Sequence, residues 1–178
     1  MKYFNIFETE RLVIREFNHT DTDYFFDLMG NSKVMNPIPL AALTQEESNK
    51  KLIELIALYK LKSQKKIWAI TLKNSIELIG LCGLIINNEN ENEIAYRLRE
   101  KFWGNGYGTE IAKGLINYGF EKLNFELITA DVSVSNKKSI IILEKYMVFD
   151  KEFYNPIDKC RDRRYKISKV NWSQKKFS

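Results

Sequence analysis

The sequence predicts a mixed α/β fold whose central sheet is mixed and mostly antiparallel, with flanking helices. Three observations carry this. Apolar residues alternate with period two through three short runs between Trp68 and Leu98. Helical spacing brackets those runs on both sides. A strand, a helix and two further strands follow before the C-terminus.

In chain order, residues 11–15 read as a strand with Leu12 and Ile14 on one face. A helix follows over 21–29, with Thr20 or Asp21 as its N-cap. A second helix starts at Thr44, whose capping-box partner is Glu47, and Leu52, Leu55, Ile56 and Tyr59 fall on one of its faces. Trp68, Ile70 and Leu72 then alternate along a strand. Residues 76–86 form a longer apolar strand in which Gly80 and Gly83 mark a bulge or bend, and 93–98 put Ile94, Tyr96 and Leu98 on one face. The Asn/Glu stretch 87–92 is the turn between the last two, completing an antiparallel meander. Helical spacing returns after Gly108, from Ile111 to Leu123. A strand over 127–134, a helix over 139–146 and strands near 149–154 and 163–168 complete the order.

One domain over residues 1–178 accommodates these elements. With 44% apolar and 29% charged residues, wholesale disorder is excluded. The uncharged apolar stretch 78–88 is well short of the ~18 residues a membrane helix needs. No signal peptide is visible. Cys82 and Cys160 alone make neither a disulfide framework nor a metal site, so a cytoplasmic location is expected. Net charge is +5 but uneven, −2 over residues 1–136 and +7 over 137–178. A solvated Lys-rich segment accounts for this better than a nucleic-acid surface, because residues 159–166 alternate like a strand.

Three of the eight glycines stand at 104, 106 and 108, between a strand and a helix beginning near Thr109. Alternating glycines let successive N–H groups face one concavity, and the helix N-terminus adds free donors and partial positive charge. That is a cradle for a diphosphate. A glycine-rich turn packed on Trp103 is the alternative. A nucleoside-triphosphate loop would end in Gly-Lys-Ser/Thr, whereas Gly108 precedes Thr109 and Glu110. The dinucleotide fingerprint needs glycine at its sixth position, here Thr109. ATP and NAD are therefore disfavoured.

The chain resembles the GNAT superfamily of acetyl-CoA-dependent N-acetyltransferases, and within it the RimJ/RimL-type branch. The likeness runs through residues 8–15 (ETERLVIR), 94–98 (IAYRL) and 102–110 (FWGNGYGTE). It continues with Asn136-Lys-Lys-Ser139, Leu143-Glu-Lys145, Arg161-Asp162 and Tyr165. The resemblance implies a sheet splayed between its fourth and fifth strands, 93–98 and 127–134, with the pantetheine of acetyl-CoA inserted like a strand. Backbone groups near Tyr96 and Leu98 would bond the pantetheine amides. The N–H groups of Asn105, Gly106, Tyr107, Gly108 and Thr109 would hold the pyrophosphate, with Trp103 and Gly104 also in the cofactor site. Asn136 would meet the pantetheine arm, and Lys137 and Lys138 the nucleotide phosphates, with solvated lysines as the alternative for that pair. Three departures stand out. Trp103 replaces the Gln or Arg of many relatives, Leu143 fills the slot of a tyrosine general acid, and Met147-Val148 replaces Gly-Phe, which shifts the expected register of the next strand.

For the chemistry, an acceptor ammonium must lose a proton before attacking the thioester. Glu93 resembles a family base, and partial burial would raise its pKa to ~6–7. A solvated hairpin edge is its alternative. Ser139 would hydrogen-bond the departing thiolate, unless its hydroxyl bonds the helix backbone. His19 reads as a turn residue, and neither cysteine has a histidine partner in a nucleophile motif, so direct transfer is expected. An α-amine titrates near ~7.7–8 against ~10.4 for lysine, which favours a protein N-terminus as acceptor. A small-molecule amine is the alternative, and a homodimer is compatible with the likeness. An acyl-CoA-binding module without activity and a nucleic-acid binder with steep salt dependence are the other classes.

Overall fold

The computed structural model describes residues 4–36, 40–61 and 66–176. Strand β1 (Asn5–Glu8) pairs antiparallel with β2 (Leu12–Arg15). The sequence pattern does not reveal β1, because its four residues do not alternate in burial. A short 3-10 turn at His19–Asp21 precedes helix α1 (Thr22–Met29). Asp21 is the N-cap of α1, as expected, but makes no side-chain cap bond to it; the capping side chain is Asn18, at the 3-10 turn. It accepts the Thr20 N–H at 2.7 Å, while Asp21 accepts the Asn18 N–H at 3.0 Å. Helix α2 (Ser32–Met35) is a single turn, and α3 (Gln45–Leu58) carries the expected Thr44–Glu47 capping box.

The meander follows as β3 (Lys66–Leu72), β4 (Leu78–Ile86) and β5 (Asn92–Leu98). The β3–β4 register slips opposite Gly80. A Cβ on Gly80 would lie 2.3 Å from the Arg97 carbonyl, so glycine here permits the close approach of β5. Then come α4 (Tyr107–Glu121), β6 (Leu127–Ser133), α5 (Lys137–Glu144), β7 (Val148–Asn155), β8 (Cys160–Ser168) and α6 (Lys169–Lys176). The β7–β8 pairing slips register between Phe149 and Lys151.

Among the described residues eight strands order as β1-β2-β3-β4-β5-β6-β8-β7, and only β5 and β6 run parallel. Alternation along β3 splits the core between two faces. Trp68 and Ile70 face α4 through Ile111, Leu115 and Phe120, while Ala69 faces α1 and α3 through Phe25, Leu52 and Leu55. Helix α6 adds buried Trp172, whose Nε1 donates to Asn117 at 2.9 Å. No helix among the described residues is long and apolar enough to cross a membrane.

Strands β5 and β6 meet at one residue pair, Glu93 and Thr129, and then part. The Thr129 hydroxyl, fully buried, donates to the Asn92 carbonyl at 3.1 Å and accepts from Asn87 at 3.2 Å. The other edge of β6 is paired with β8 from Leu127 to Ser133. The splay thus involves the segments expected, but they are the fifth and sixth strands of the chain, because β1 adds one to the count. Arg164 on β8 holds this region together. Its guanidinium is 1% exposed, bonds Asp131 on β6 twice at 2.7 Å, and reaches Glu89 and Glu91 in the β4–β5 turn at 2.9 and 3.2 Å.

Arg164→Met leaves Asp131 half-buried without its counter-ion. Urea unfolding of this variant should show a loss of about 3 kcal/mol, the usual cost of breaking a buried pair from one side. A loss below about 1 kcal/mol would mean the pair behaves as a surface ion pair.

Candidate active site

The site grows from the backbone of β5. The Arg99 N–H donates to the Ile79 carbonyl, so in this antiparallel ladder Arg97 and Ala95 also face β4. The N–H and C=O groups of Tyr96 and Leu98 therefore point into the gap where β6 has diverged. Two cavities open on this gap. One, of about 590 Å³, is lined by the strand, by the glycine loop and by the first turn of α5. The other, of about 400 Å³, lies between β5, β6 and the β7–β8 hairpin. Tyr96, Arg97, Asn136 and Ser139 line both.

Most of the predicted cofactor residues come together in the larger cavity: Tyr96, Leu98, Trp103, Gly104, Gly106, Tyr107, Gly108, Thr109, Asn136, Lys138 and Ser139, with Lys137 beside them. Gly104 and Gly106 hold φ of +78° and +80°, a left-handed backbone that other residues adopt only with strain. A Cβ on Gly104 would meet nothing within 4 Å, and one on Gly106 only Arg11 Nη2 at 3.4 Å, so the space above the loop is open. Helix α4 begins at Tyr107, earlier than the Thr109 expected, and no side chain caps it. Its first N–H groups are left to the cavity. Glu110 braces this loop by accepting from Thr9 Oγ1 at 2.6 Å and from the Arg11 N–H and Nε, each at 2.7 Å. Arg11 also donates to the Asn105 carbonyl at 3.0 Å.

Asn105 is absent from that lining, and its side-chain amide turns back to the Phe102 and Trp103 carbonyls at 3.3 and 3.1 Å. The Leu98 carbonyl accepts from Trp103 Nε1 at 2.8 Å, which occupies one of its two lone pairs. Trp103 thus has a local bond to make, and Lys138 Nζ stands 5.3 Å from its ring. Asn136 caps α5 by accepting the Ser139 N–H at 3.2 Å.

Glu93 lines the smaller cavity and is 9% exposed. Burial first, then the charges of Asp131 and Asp162, push its carboxyl up to about 8, against the pull of Arg164 and the Asp131 N–H. That is higher than the range expected from partial burial. The neighbouring Glu89 and Glu91 are not a bare solvated edge, since both pair with Arg164. The Tyr96 hydroxyl is buried beside Ser139, near enough for that hydroxyl to oppose its rise, yet it has no partner at bonding distance. Burial raises Tyr96 to about 12, so it stays protonated. Burial also raises both thiols, Cys82 well above its usual range and Cys160 to about 11, which leaves neither as a thiolate nucleophile. His19 lies in the turn before α1 and lines neither cavity.

The sequence reading missed Arg97, Asp131 and Asp158 in the smaller cavity, and Arg11 and Glu110 behind the glycine loop. One signal was available. The alternation that puts Ile94, Tyr96 and Leu98 on one face puts Glu93 and Arg97 on the other, two charges on a central strand.

Glu93 holds its proton more tightly folded than unfolded. The resulting stabilisation is complete below about pH 4.5 and disappears as pH rises through about 8. Glu93→Gln does not titrate, so its melting temperature relative to the native protein should be higher at pH 9 than at pH 4.5. An equal difference at both pH values would mean that the carboxyl is not perturbed.

The acetyltransferase (GNAT) domain family matches residues 11–146. An uncharacterized N-acetyltransferase, p20, of Bacillus licheniformis is 33% identical over 81% of this chain and 82% of its own length. Among solved structures, a GNAT-family acetyltransferase from Bacillus anthracis superposes with a TM-score of 0.80 at 22% identity, covering 95% of this chain and 99% of that one. RimL, a ribosomal L7/L12 alpha-N-protein acetyltransferase solved with coenzyme A, superposes with a TM-score of 0.73 at 18% identity, over 94% and 98% of the two chains. Together with the single parallel strand pair and the splay beyond it, these matches show that the chain belongs to the GNAT family of acetyltransferases.

Proposed function

We propose that this acetyltransferase moves an acetyl group from acetyl-CoA to a primary α-amine by direct attack, as a member of the RimJ/RimL-like branch. The observation that carries the reading is the meeting of two cavities at Tyr96 and Ser139, one ending at an open helix N-terminus and the other lined by Glu93. The residues fit the donor. The free β5 edge suits pantetheine amides, and the uncapped N–H groups of α4 suit a pyrophosphate, with Lys137 and Lys138 alongside. Acetyl-CoA supplies an activated acetyl carbon.

Glu93 takes the proton from the acceptor ammonium, directly or through water, and its raised pKa suits a base working near neutral pH. The Ser139 hydroxyl, its own N–H committed to the Asn136 cap, donates to the departing sulfur. The acceptor is an α-amine because neutralising it near pH 7 costs less than neutralising a lysine. A protein N-terminus satisfies this, as does a small-molecule amine. The raised, protonated thiols favour direct transfer over an acyl-cysteine intermediate.

Calorimetric titration tests the donor. Gly106→Val puts a side chain where phosphate must approach and strains a residue at φ +80°, so acetyl-CoA affinity should fall more than about tenfold. Unchanged affinity would remove the cradle from this loop. Glu93→Gln should lower turnover about 10²-fold while acetyl-CoA affinity stays within about twofold. In the native enzyme the rate should rise with pH and level near 8, and the Glu93 limb should vanish in the variant. An unchanged pH–rate profile would exclude Glu93 as the base.

A further inference from the structure

Among the described residues Arg97 is a cation with no paired anion. Its Nε is buried with no hydrogen-bond partner, and its Nη1 donates only to the thioether sulfurs of Met35 and Met29, at 2.9 and 3.5 Å. Thioethers are weak acceptors, and a guanidinium does not shed its charge. Among the described residues no carboxylate lies within 4 Å of it. The buried arginines 15, 99 and 164 behave differently, each bonding a carboxylate at 2.6–2.7 Å. Burying a charge unpaired is costly, so this guanidinium suits an anion brought from outside.

Its place indicates which anion. Arg97 lies where the two cavities meet and bonds the thioethers of α1 and α2, whereas the glycine loop and Lys137–Lys138 line only the larger cavity, so Arg97 is the cation of this group that reaches the smaller one. It shares the smaller cavity, and its face of β5, with Glu93, the proposed base. Asp131, Asp158 and Asp162 line the same space. Asp158 is near enough to feel the Arg97 charge without pairing to it. The cavity thus offers carboxyls to an ammonium and one guanidinium to a carboxylate.

Resting on the transferase reading, we infer that the acceptor carries a carboxylate within a few bonds of the amine, and that Arg97 binds it. A free amino acid has this chemistry, as does a peptide whose first side chain is acidic.

The test is calorimetric titration of CoA-saturated protein with carboxylates and their carboxamides. One arm pairs the standard amino acids with their amides. The other pairs dipeptide amides beginning with Asp or Glu with those beginning with Asn or Gln. At least one carboxylate should bind about tenfold more tightly than its carboxamide, and the arm containing it identifies the source. In Arg97→Met the preference should fall to within about threefold, with a melting temperature no lower than native, since an unpaired buried charge has been removed. Equal binding of every pair, no binding by any member, or a preference that survives Arg97→Met would each overturn the inference. If the variant does not fold, the native pairs still decide. Turnover with acetyl-CoA separates this inference from the reading beneath it. A carboxylate that binds through Arg97 and is never acetylated contradicts the transferase reading alone. Acetylation of acids and amides without preference contradicts the Arg97 inference alone.

Discussion

The single parallel pairing of Glu93 with Thr129 is the constraint on which the rest of the molecule depends. A parallel strand pair could continue along the whole length of β5 and β6, but here it stops after one step. Thr129 and Asn87 bond the strands at that point, and β8 occupies the far edge of β6 over seven residues. Beyond it, Tyr96 and Leu98 keep backbone groups directed into a gap, in the middle of a sheet where such groups are otherwise paired. The two cavities, the helix N-terminus and the acidic wall are all arranged around that gap. Arg164 secures the arrangement from β8, joining β6 to the β4–β5 turn through Asp131, Glu89 and Glu91.

The electrostatics of the smaller cavity run against stability. Glu93 holds its proton because burial and two neighbouring aspartates oppose its charge, while the hydrogen-bond partners of Arg97 among the described residues are thioether sulfurs. Elsewhere the fold meets this problem by pairing, as at Arg15 with Asp21 and Arg99 with Asp27 and Glu77. The two groups left uncompensated line one cavity, which is where functional strain on stability is expected to collect.

Much of this was legible in the sequence, for identifiable reasons. The meander and α4 declare themselves because burial on one face forces a period, and Thr44 with Glu47 is a purely local signal. The glycine loop is legible because positive φ selects glycine at 104 and 106. Strand β1 is too short and too unevenly buried to show a period, and α6 is a polar helix anchored by Trp172. The partners of Arg164 lie 33 to 75 residues away in the chain, so no local pattern reveals them. The height of the Glu93 pKa depends on Asp131 and Asp162, which only the fold brings near. The bond from Trp103 Nε1 back to the Leu98 carbonyl has no local signal in the sequence.

The most direct test of the splay as a donor site is residue-resolved amide hydrogen exchange with and without acetyl-CoA. The account predicts slower exchange at the Tyr96 and Leu98 amides and at Tyr107 through Thr109, with little change along β7. Protection confined to other segments, or none at saturating acetyl-CoA, would contradict it.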